Sequence, residues 1–263
     1  MGGGSVKILI NGVNATDNDL KSIPPEKVIK VEYYDIPPAR YSTVSTLVNV
    51  ITKRLDTGWN GGIDASHAFS TGFGNDNLYL KYIAGNHQVS LDYTLQYRDY
   101  NNRIATNTYQ YQLNEKNIDY TYQSKEKFGY ADNTFNLKYT YNRPDDYTLQ
   151  AILSPNFSTR FSNGNSNVFL LTDENPQNGL KFYDNNTRTF GPAANLYFSK
   201  KMKRSQELTF ELVGTYYYNK QENLNQETDT ESGEIILEDN MNQRNDKKSL
   251  IAEVAYTKAW GLR

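Results

Sequence analysis

The chain has 263 residues, with 28 Lys plus Arg against 30 Asp plus Glu, two His and no Cys. A net charge of −2 argues against a nucleic-acid partner held by bulk electrostatics, and the lack of cysteine excludes disulfides, thiolate zinc sites and a cysteine nucleophile. His67 and His87 each fall inside a strand-like run, so no catalytic residue, metal or cofactor is assigned.

Met1 to Ser5 (MGGGS) has neither the basic nor the apolar region of a secretory signal and reads as a linker or an internal start. No apolar run reaches the roughly 18 residues of a membrane-spanning helix. Val6 to Ile10 reads as a short strand ending in the turn pair Asn11-Gly12. Thr16 or Asp17 can cap one helical turn through Leu20 and Ile23, which Pro24-Pro25 stop. Val28 to Tyr34 is β-branched and aromatic, a strand ended by Pro37-Pro38, and Leu47 to Thr52 makes another. Residues 6–54 therefore read as a small mixed α/β unit.

From Trp59 the hydrophobic period becomes two and stays there. Val89, Leu91, Tyr93, Leu95 and Tyr97 oppose Ser90, Asp92, Thr94, Gln96 and Arg98. The same division recurs in 135–141, 208–212 and 250–256, and predicts about eight strands near 59–70, 76–84, 87–110, 131–142, 147–160, 189–199, 207–220 and 248–258. Short turns (Gly85-Asn86, 143–146, 199–206) alternate with long polar segments (113–130, 161–188, 221–246), the rhythm of an antiparallel up-and-down barrel of the outer membrane. Alternation alone does not say which face is wet. A soluble barrel or sandwich would bury Leu208, Phe210 and Leu212; a membrane barrel would turn them to lipid. Charges on the polar face (Asp92, Arg98, Lys138, Glu211, Glu253) suit an aqueous lumen. Aromatics beside the short turns (Tyr139, Tyr141, Tyr147, Tyr197, Phe198, Tyr256, Trp260) suit an interfacial girdle. The membrane solution is the expectation.

The phrases Val6 to Gly12 (VKILING), Ile23 to Glu32 (IPPEKVIKVE), Pro38-Ala39-Arg40-Tyr41 and Val48 to Lys53 (VNVITK) stand in order and at plausible spacing. Together they resemble the C-terminal part of the plug domain of TonB-dependent outer-membrane receptors. The Gly-rich run from Trp59-Asn60-Gly61-Gly62 looks like the first barrel strand of the Bacteroidetes-type branch. The resemblance covers about 50 residues closely and the remainder only in strand and loop rhythm. It implies a mainly-β chain: a partial transmembrane barrel at 56–263, preceded at 1–55 by the end of a small α/β plug. Several features depart from the family. No TonB box or first half of a plug precedes residue 6, Ser42 to Thr46 replaces small residues and Gly, and eight strands stand against a family barrel of about 22. Gly261-Leu262-Arg263 is not a terminal aromatic strand. The chain reads as an internal fragment.

The resemblance implies TonB-dependent import of a scarce ligand, a siderophore, glycan or similar, across the outer membrane. The partners it implies are outer-membrane lipid, the ligand, and a TonB-type energy-coupling complex acting through the missing N-terminal part; the ligand-binding residues are not identified. Arg40, in a turn stiffened by prolines, is expected to latch the plug by gripping a wall carboxylate bidentately. Lys138, Glu211 and Glu253, with Arg98, either hold the plug or are solvated charges of a sheet face. Asn185-Asn186 and Asn163 to Asn167 either bind glycans by amide hydrogen bonds beside tyrosine rings or are ordinary polar loops. No phosphate loop or nucleophile elbow appears. A stand-alone eight-stranded barrel, adhesin or passive pore, is the alternative and leaves residues 6–54 without a role. An outer-membrane hydrolase would need a histidine other than these two mid-strand ones.

Overall fold

The computed structural model describes residues 5–37, 41, 44–53, 57–143, 146–172 and 175–258. The first sheet is built from β1 (Val6–Ile10), β2 (Val13–Asn14), β3 (Val28–Tyr34) and β4 (Thr46–Thr52), in the order β2-β1-β4-β3 with β1 and β4 parallel. Asn11 and Gly12 both take positive φ and close the tight turn between β1 and β2. One five-residue helix, α1 (Asp17–Lys21), and a 3-10 turn at Pro25–Lys27 link β2 to β3. Thr16 Oγ1 accepts from the Asp19 N–H at 3.2 Å while the Asp19 carboxylate accepts from the Thr16 N–H at 2.8 Å, a reciprocal cap. The helix ends at Lys21, ahead of Ile23, as the approaching prolines require. Leu9, Val13, Ile23, Leu47 and Val50 form the core of this unit. β2 and the 3-10 turn were not expected from the sequence; both are too short to show a period.

The second sheet is a meander. It runs through β5 (Gly58–Ala68), β6 (Gly72–Ala84), β7 (His87–Leu113), β8 (Lys116–Arg143), β9 (Tyr147–Ser154) with β10 (Asn156–Thr172), β11 (Asn175–Phe190) with β12 (Ala193–Met202), β13 (Gln206–Asp229) and β14 (Ile235–Lys258). β8 pairs with β9 along one half and β10 along the other, and β13 does the same with β12 and β11. The two pairs are thus single paths broken at Pro155 and at Gly191-Pro192, where proline supplies no N–H to the ladder. Both prolines still accept: Phe135 N–H reaches the Pro155 carbonyl at 3.0 Å and Tyr216 N–H the Pro192 carbonyl at 2.9 Å. Eight antiparallel runs result, each paired with the next. Among the described residues β5 and β14 do not pair with each other, so the sheet is open.

The expected count of eight strands matches these runs, but the expected bounds do not. The segments 113–130, 161–188 and 221–246, read as long loops, are mostly strand, with tight turns such as Asn114-Glu115 at positive φ. The reason is physical. Hydrophobic alternation marks only strands with one dry face, and in these stretches both faces carry polar side chains, for example Lys125 and Lys127 on one and Ser124 and Glu126 on the other.

In the half of the sheet that holds the short turns, the alternation resolves into two unlike faces. One packs against the small unit and buries Lys81, Ser90, Thr140 and Gln150, with Lys138 only 9% exposed. The other carries Leu80, Val89, Leu149, Leu153, Leu196, Leu208 and Val254 outward, with Leu137 47% and Leu250 74% exposed. This half is polar inside and apolar outside. Tyr197, expected beside the outer aromatics, lies opposite Gln150 and Glu211 on the inner face and is buried. Trp260 lies outside the described residues.

Glycine spacing gives a test of the ladder. A Cβ at Gly164 would stand 2.6 Å from the Lys125 carbonyl oxygen and 2.9 Å from Glu126 Cα, whereas one at Gly214 would meet only Leu250 Cδ1 at 3.7 Å. Gly164→Ala should lose about 1–3 kcal/mol of stability and Gly214→Ala less than about 0.5 kcal/mol, read from chemical unfolding midpoints.

Candidate functional site

The contact between the small unit and the sheet is built around one carboxylate. The cap fixes Asp19 on α1, and its side chain is 4% exposed. Lys138 of β8 forms an ion pair with its Oδ2. Lys81 of β6 lies 3.6 Å from its Oδ1 and donates to Ser22 Oγ at 3.1 Å, and Ser22 Oγ in turn donates to the Asp19 carbonyl at 2.6 Å. Beside them Asn18 donates to Asp92 of β7 at 2.9 Å and accepts from Asn77 of β6 at 3.2 Å. Gln150 of β9 donates to Thr140 at 3.2 Å and toward the Asn14 carbonyl at 3.4 Å. At the rim Lys21 reaches the exposed Asp64 of β5 at 3.3 Å. Five successive strands thus hold α1 and β2.

The charges balance: Lys81 and Lys138 stand against Asp19 and Asp92. A buried charge is tolerated only when paired and hydrogen-bonded. Burial pushes the Asp19 carboxyl up, but Lys138, the Thr16 N–H and Lys81 together outweigh it and hold the group below its ordinary value of 3.8. Two cavities flank the cluster. One, of about 310 Å³, lies between Asn14, Thr16, Asn136, Ile152 and Val213; another, of about 360 Å³, lies between α1 and Asn77, Asp92 and Thr94.

The residues expected from the sequence to join plug and wall lie in four different settings. Lys138 is in the cluster. Glu211 accepts from Asn195 Nδ2 at 2.6 Å and sits opposite Glu253, which is exposed on the edge strand β14. Arg98 lies with its guanidinium 3.6 Å over the Phe73 ring and donates to the Tyr97 carbonyl at 2.8 Å. Among the described residues no ion pair links Glu211, Glu253 or Arg98 to the small unit. Arg40 lies outside the described residues. Asp19, Lys81 and Asn18 were missed. Period two put Asp92 and Lys138 on the polar sides of their strands, but nothing in the sequence singled out Lys81, and a five-residue helix gives no sign of which side meets a sheet.

Among the described residues no group of three His, Asp or Glu side chains could hold a metal ion. His67 bridges Asp76 (2.8 Å) and Tyr97 (3.2 Å), and His87 meets the Tyr139 hydroxyl at 2.8 Å, both through strand neighbours. The arrangement holds one body against another. A scan of protein-family models finds no match to this chain, and a search of curated proteins finds none either.

Asp19→Asn leaves two buried ammonium groups without their anion, a loss of about 3–5 kcal/mol. It should expose residues 6–34 to protease while the strands of the second sheet stay protected. The pH dependence has a definite sign. The carboxyl titrates lower when docked than when free, so docking is at full strength above the ordinary value of 3.8 and is lost as the pH falls through the lower docked value. Hydrogen-exchange protection factors of α1 and β2, which take out the intrinsic pH dependence of the amides, should therefore be as high at pH 5 as at pH 7 and fall only in stronger acid.

Proposed function

We propose that this chain forms part of an outer-membrane β-barrel, that the small unit is its plug, and that the protein imports a scarce ligand with energy delivered through TonB. The observation that carries this reading is the inverted sheet, apolar outside and polar inside, with its buried charges satisfied by the small unit. A water-soluble sheet with one buried face would turn Leu137, Leu208 and Leu250 the other way.

The dimensions agree. On the outer face one chain of rings follows the short turns: His87 and Tyr141 (4.8 Å), Tyr141 and Tyr147 (5.3 Å), Tyr147 and Phe198 (6.2 Å). A second chain runs Phe135, Phe157, Phe190, Tyr216 at separations of 6.5, 4.8 and 6.2 Å. From Phe190 to Phe198 the path covers about 26 Å, or about 20 Å along the membrane normal at a tilt of about 40°. That is close to the roughly 25 Å band of barrels in this membrane. From the level of the second chain onward the outward residues of β14 become Lys248, opposite Tyr216, then Asp246 and Arg244, which belong in water. The plug resemblance supplies the rest: a body held in the lumen by polar contacts, on which an inner-membrane complex can pull.

Open edges bear on the alternative. Unpaired N–H and C=O groups on β5 and β14 would each cost several kcal/mol in lipid, so the reading requires further strands beside them. An eight-stranded barrel has room inside for little more than its own side chains and could not enclose the small unit, so the stand-alone adhesin or pore is not favoured.

An environment-sensitive probe should report hydrocarbon at Leu208 and a polar, enclosed setting at Thr209; the reverse pattern would mean a soluble sheet. In cells carrying the complete receptor, uncoupling TonB should abolish accumulation of ligand and leave surface binding intact. Accumulation that persists without TonB would overturn the import mechanism.

A further inference from the structure

One level of the outer face, just beyond the chain of rings that runs through Phe190, collects positive charge. Strand register sets Arg188 of β11, Lys220 of β13 and Arg244 of β14 directly abreast. Each stands two residues along its strand from the row Phe190, Tyr218 and Asp246, so all three share the outward face with those rings. Adjacent strands lie about 4.8 Å apart, which gathers the three cations within about 10 Å. Like charges directly opposite one another are destabilising. Elsewhere the long strand halves pair opposite signs, as in Arg160 with Asp132 at 3.2 Å and Arg103 with Glu126. At the same level β10, β8 and β7 carry only Thr159, Ala131 and Tyr97. The basic row is confined to three neighbouring strands.

The nearby carboxylates do not cancel it. Glu222, in the row beyond, pairs with Lys220 at 2.5 Å, and Asp246, in the row of rings, pairs with Arg244 at 2.7 Å. Arg188 is exposed and has no ion pair among the described residues. Neither has Lys248, whose Nζ lies 5.8 Å from the Tyr216 ring centre on a stem long enough to reach toward the row. Four cations against two carboxylates leave a surplus of two positive charges. A phosphate monoester carries roughly −1.5 to −2 at pH 7 and three acceptor oxygens, and guanidinium groups match it bidentately.

Depth and the surface beneath identify what carries the phosphate. The row lies about 7 Å along the strands beyond Phe190, or about 5 Å along the membrane normal at a tilt of about 40°. That is the hydrated head-group layer above an aromatic belt. Below the rings, register places Ala194 beside Gly214, with Leu153 and Leu250 on either side. A Cβ at Gly214 would meet only Leu250 Cδ1 at 3.7 Å, so the two small residues leave a shallow apolar trough. A free anion has no use for such a trough. An acyl chain does.

We propose that Arg188, Lys220 and Arg244 dock the phosphate monoester of a lipid, in the leaflet from which the long strand halves project. One acyl chain of that lipid lies along Ala194 and Gly214. The site rests on the membrane reading of the outer face and not on TonB-driven import.

The test is native mass spectrometry of the full chain released from detergent micelles, with phosphatidic acid as the probe. Phosphatidylglycerol, a diester, and diacylglycerol of the same chains are the comparators, and inorganic phosphate is the competitor. Phosphatidic acid should be retained in preference to both comparators. Arg188→Ala with Lys220→Ala should weaken retention at least about tenfold, as loss of charged hydrogen bonds would. Glu222→Gln frees Lys220 from its partner and should strengthen retention several-fold, a direction that damage to the fold would not produce. Equal retention of either comparator, retention unchanged in the double variant, or weakening by Glu222→Gln would overturn the assignment. Displacement of the lipid by equimolar inorganic phosphate would do so too, by making this a site for free anions. The Leu208 probe, read in the same micelles, separates this proposal from its premise. Hydrocarbon at Leu208 without phosphate-dependent retention removes the lipid site alone, whereas water at Leu208 removes the membrane reading itself.

Discussion

Asp19 and the two lysines that face it are what the lower half of this structure depends on. A sheet that turns its leucines outward must turn its lysines, aspartates and glutamines inward, and such groups are tolerated in an enclosed place only when paired. Lys81, Asp92, Lys138 and Gln150 come from four adjacent strands. Without α1 and β2 they would need water or one another. The helix meets the need economically: its capping box fixes one carboxylate, and that carboxylate is the counter-ion for two strands at once. The two sheets therefore fit together as charge complements, and the apolar core of the small unit (Leu9, Leu47, Val50) stays within it.

The half of the sheet beyond Pro155 and Pro192 works under a different constraint. It has no dry outer face to drive burial, so continuity comes from the backbone ladder and from cross-strand pairs, each worth only tenths of a kcal/mol to about one. Arg160 with Asp132 at 3.2 Å and Tyr216 with Asp246 at 2.8 Å are such pairs. Aromatic rings lie over glycines in neighbouring strands, as Tyr97 does over Gly74 and Phe161 over Gly129, covering backbone that would otherwise be bare.

How much of this the sequence disclosed follows from where each signal lives. Strands such as 87–97 and 208–212 were legible because one face is apolar, and period two fixed which residues share a face, Lys138 and Gln150 among them. The stretches around Ser124 and Ser166 were not, because alternation of serine with lysine in the first and with asparagine in the second carries no hydrophobic signal. Thr16 announced a helix start, but the partners of Asp19 lie 62 and 119 positions along the chain, and contacts at that range are set by how the sheet curves round the small unit. Arg40 attracted notice because two prolines stand just before it. Lys81 attracted none, although its neighbour in the fold is the buried carboxylate.

The composition of the contact bears on how it would come apart. An apolar interface resists opening in water because each exposed square ångström adds about 25 cal/mol. The surfaces that meet at α1 are instead Asn18 with Asp92, Lys21 with Asp64 and Gln150 with the Asn14 carbonyl, all groups that water can satisfy. The Asp19 cluster and Gln150 are shut away from solvent, so resistance is concentrated at a buried polar centre, and the pairs nearer the rim, Asn18 with Asp92 and Lys21 with Asp64, yield first. On the import reading this suits a body that must stay seated under thermal motion and yield to a directed pull. The wall it leaves would be a hydrated polar surface, not an apolar one onto which the displaced segment could collapse. Rehydration of Lys81 and Lys138 offsets part of the cost of breaking their bonds to Asp19, so release and re-docking can both run without a large hydrophobic barrier in either direction.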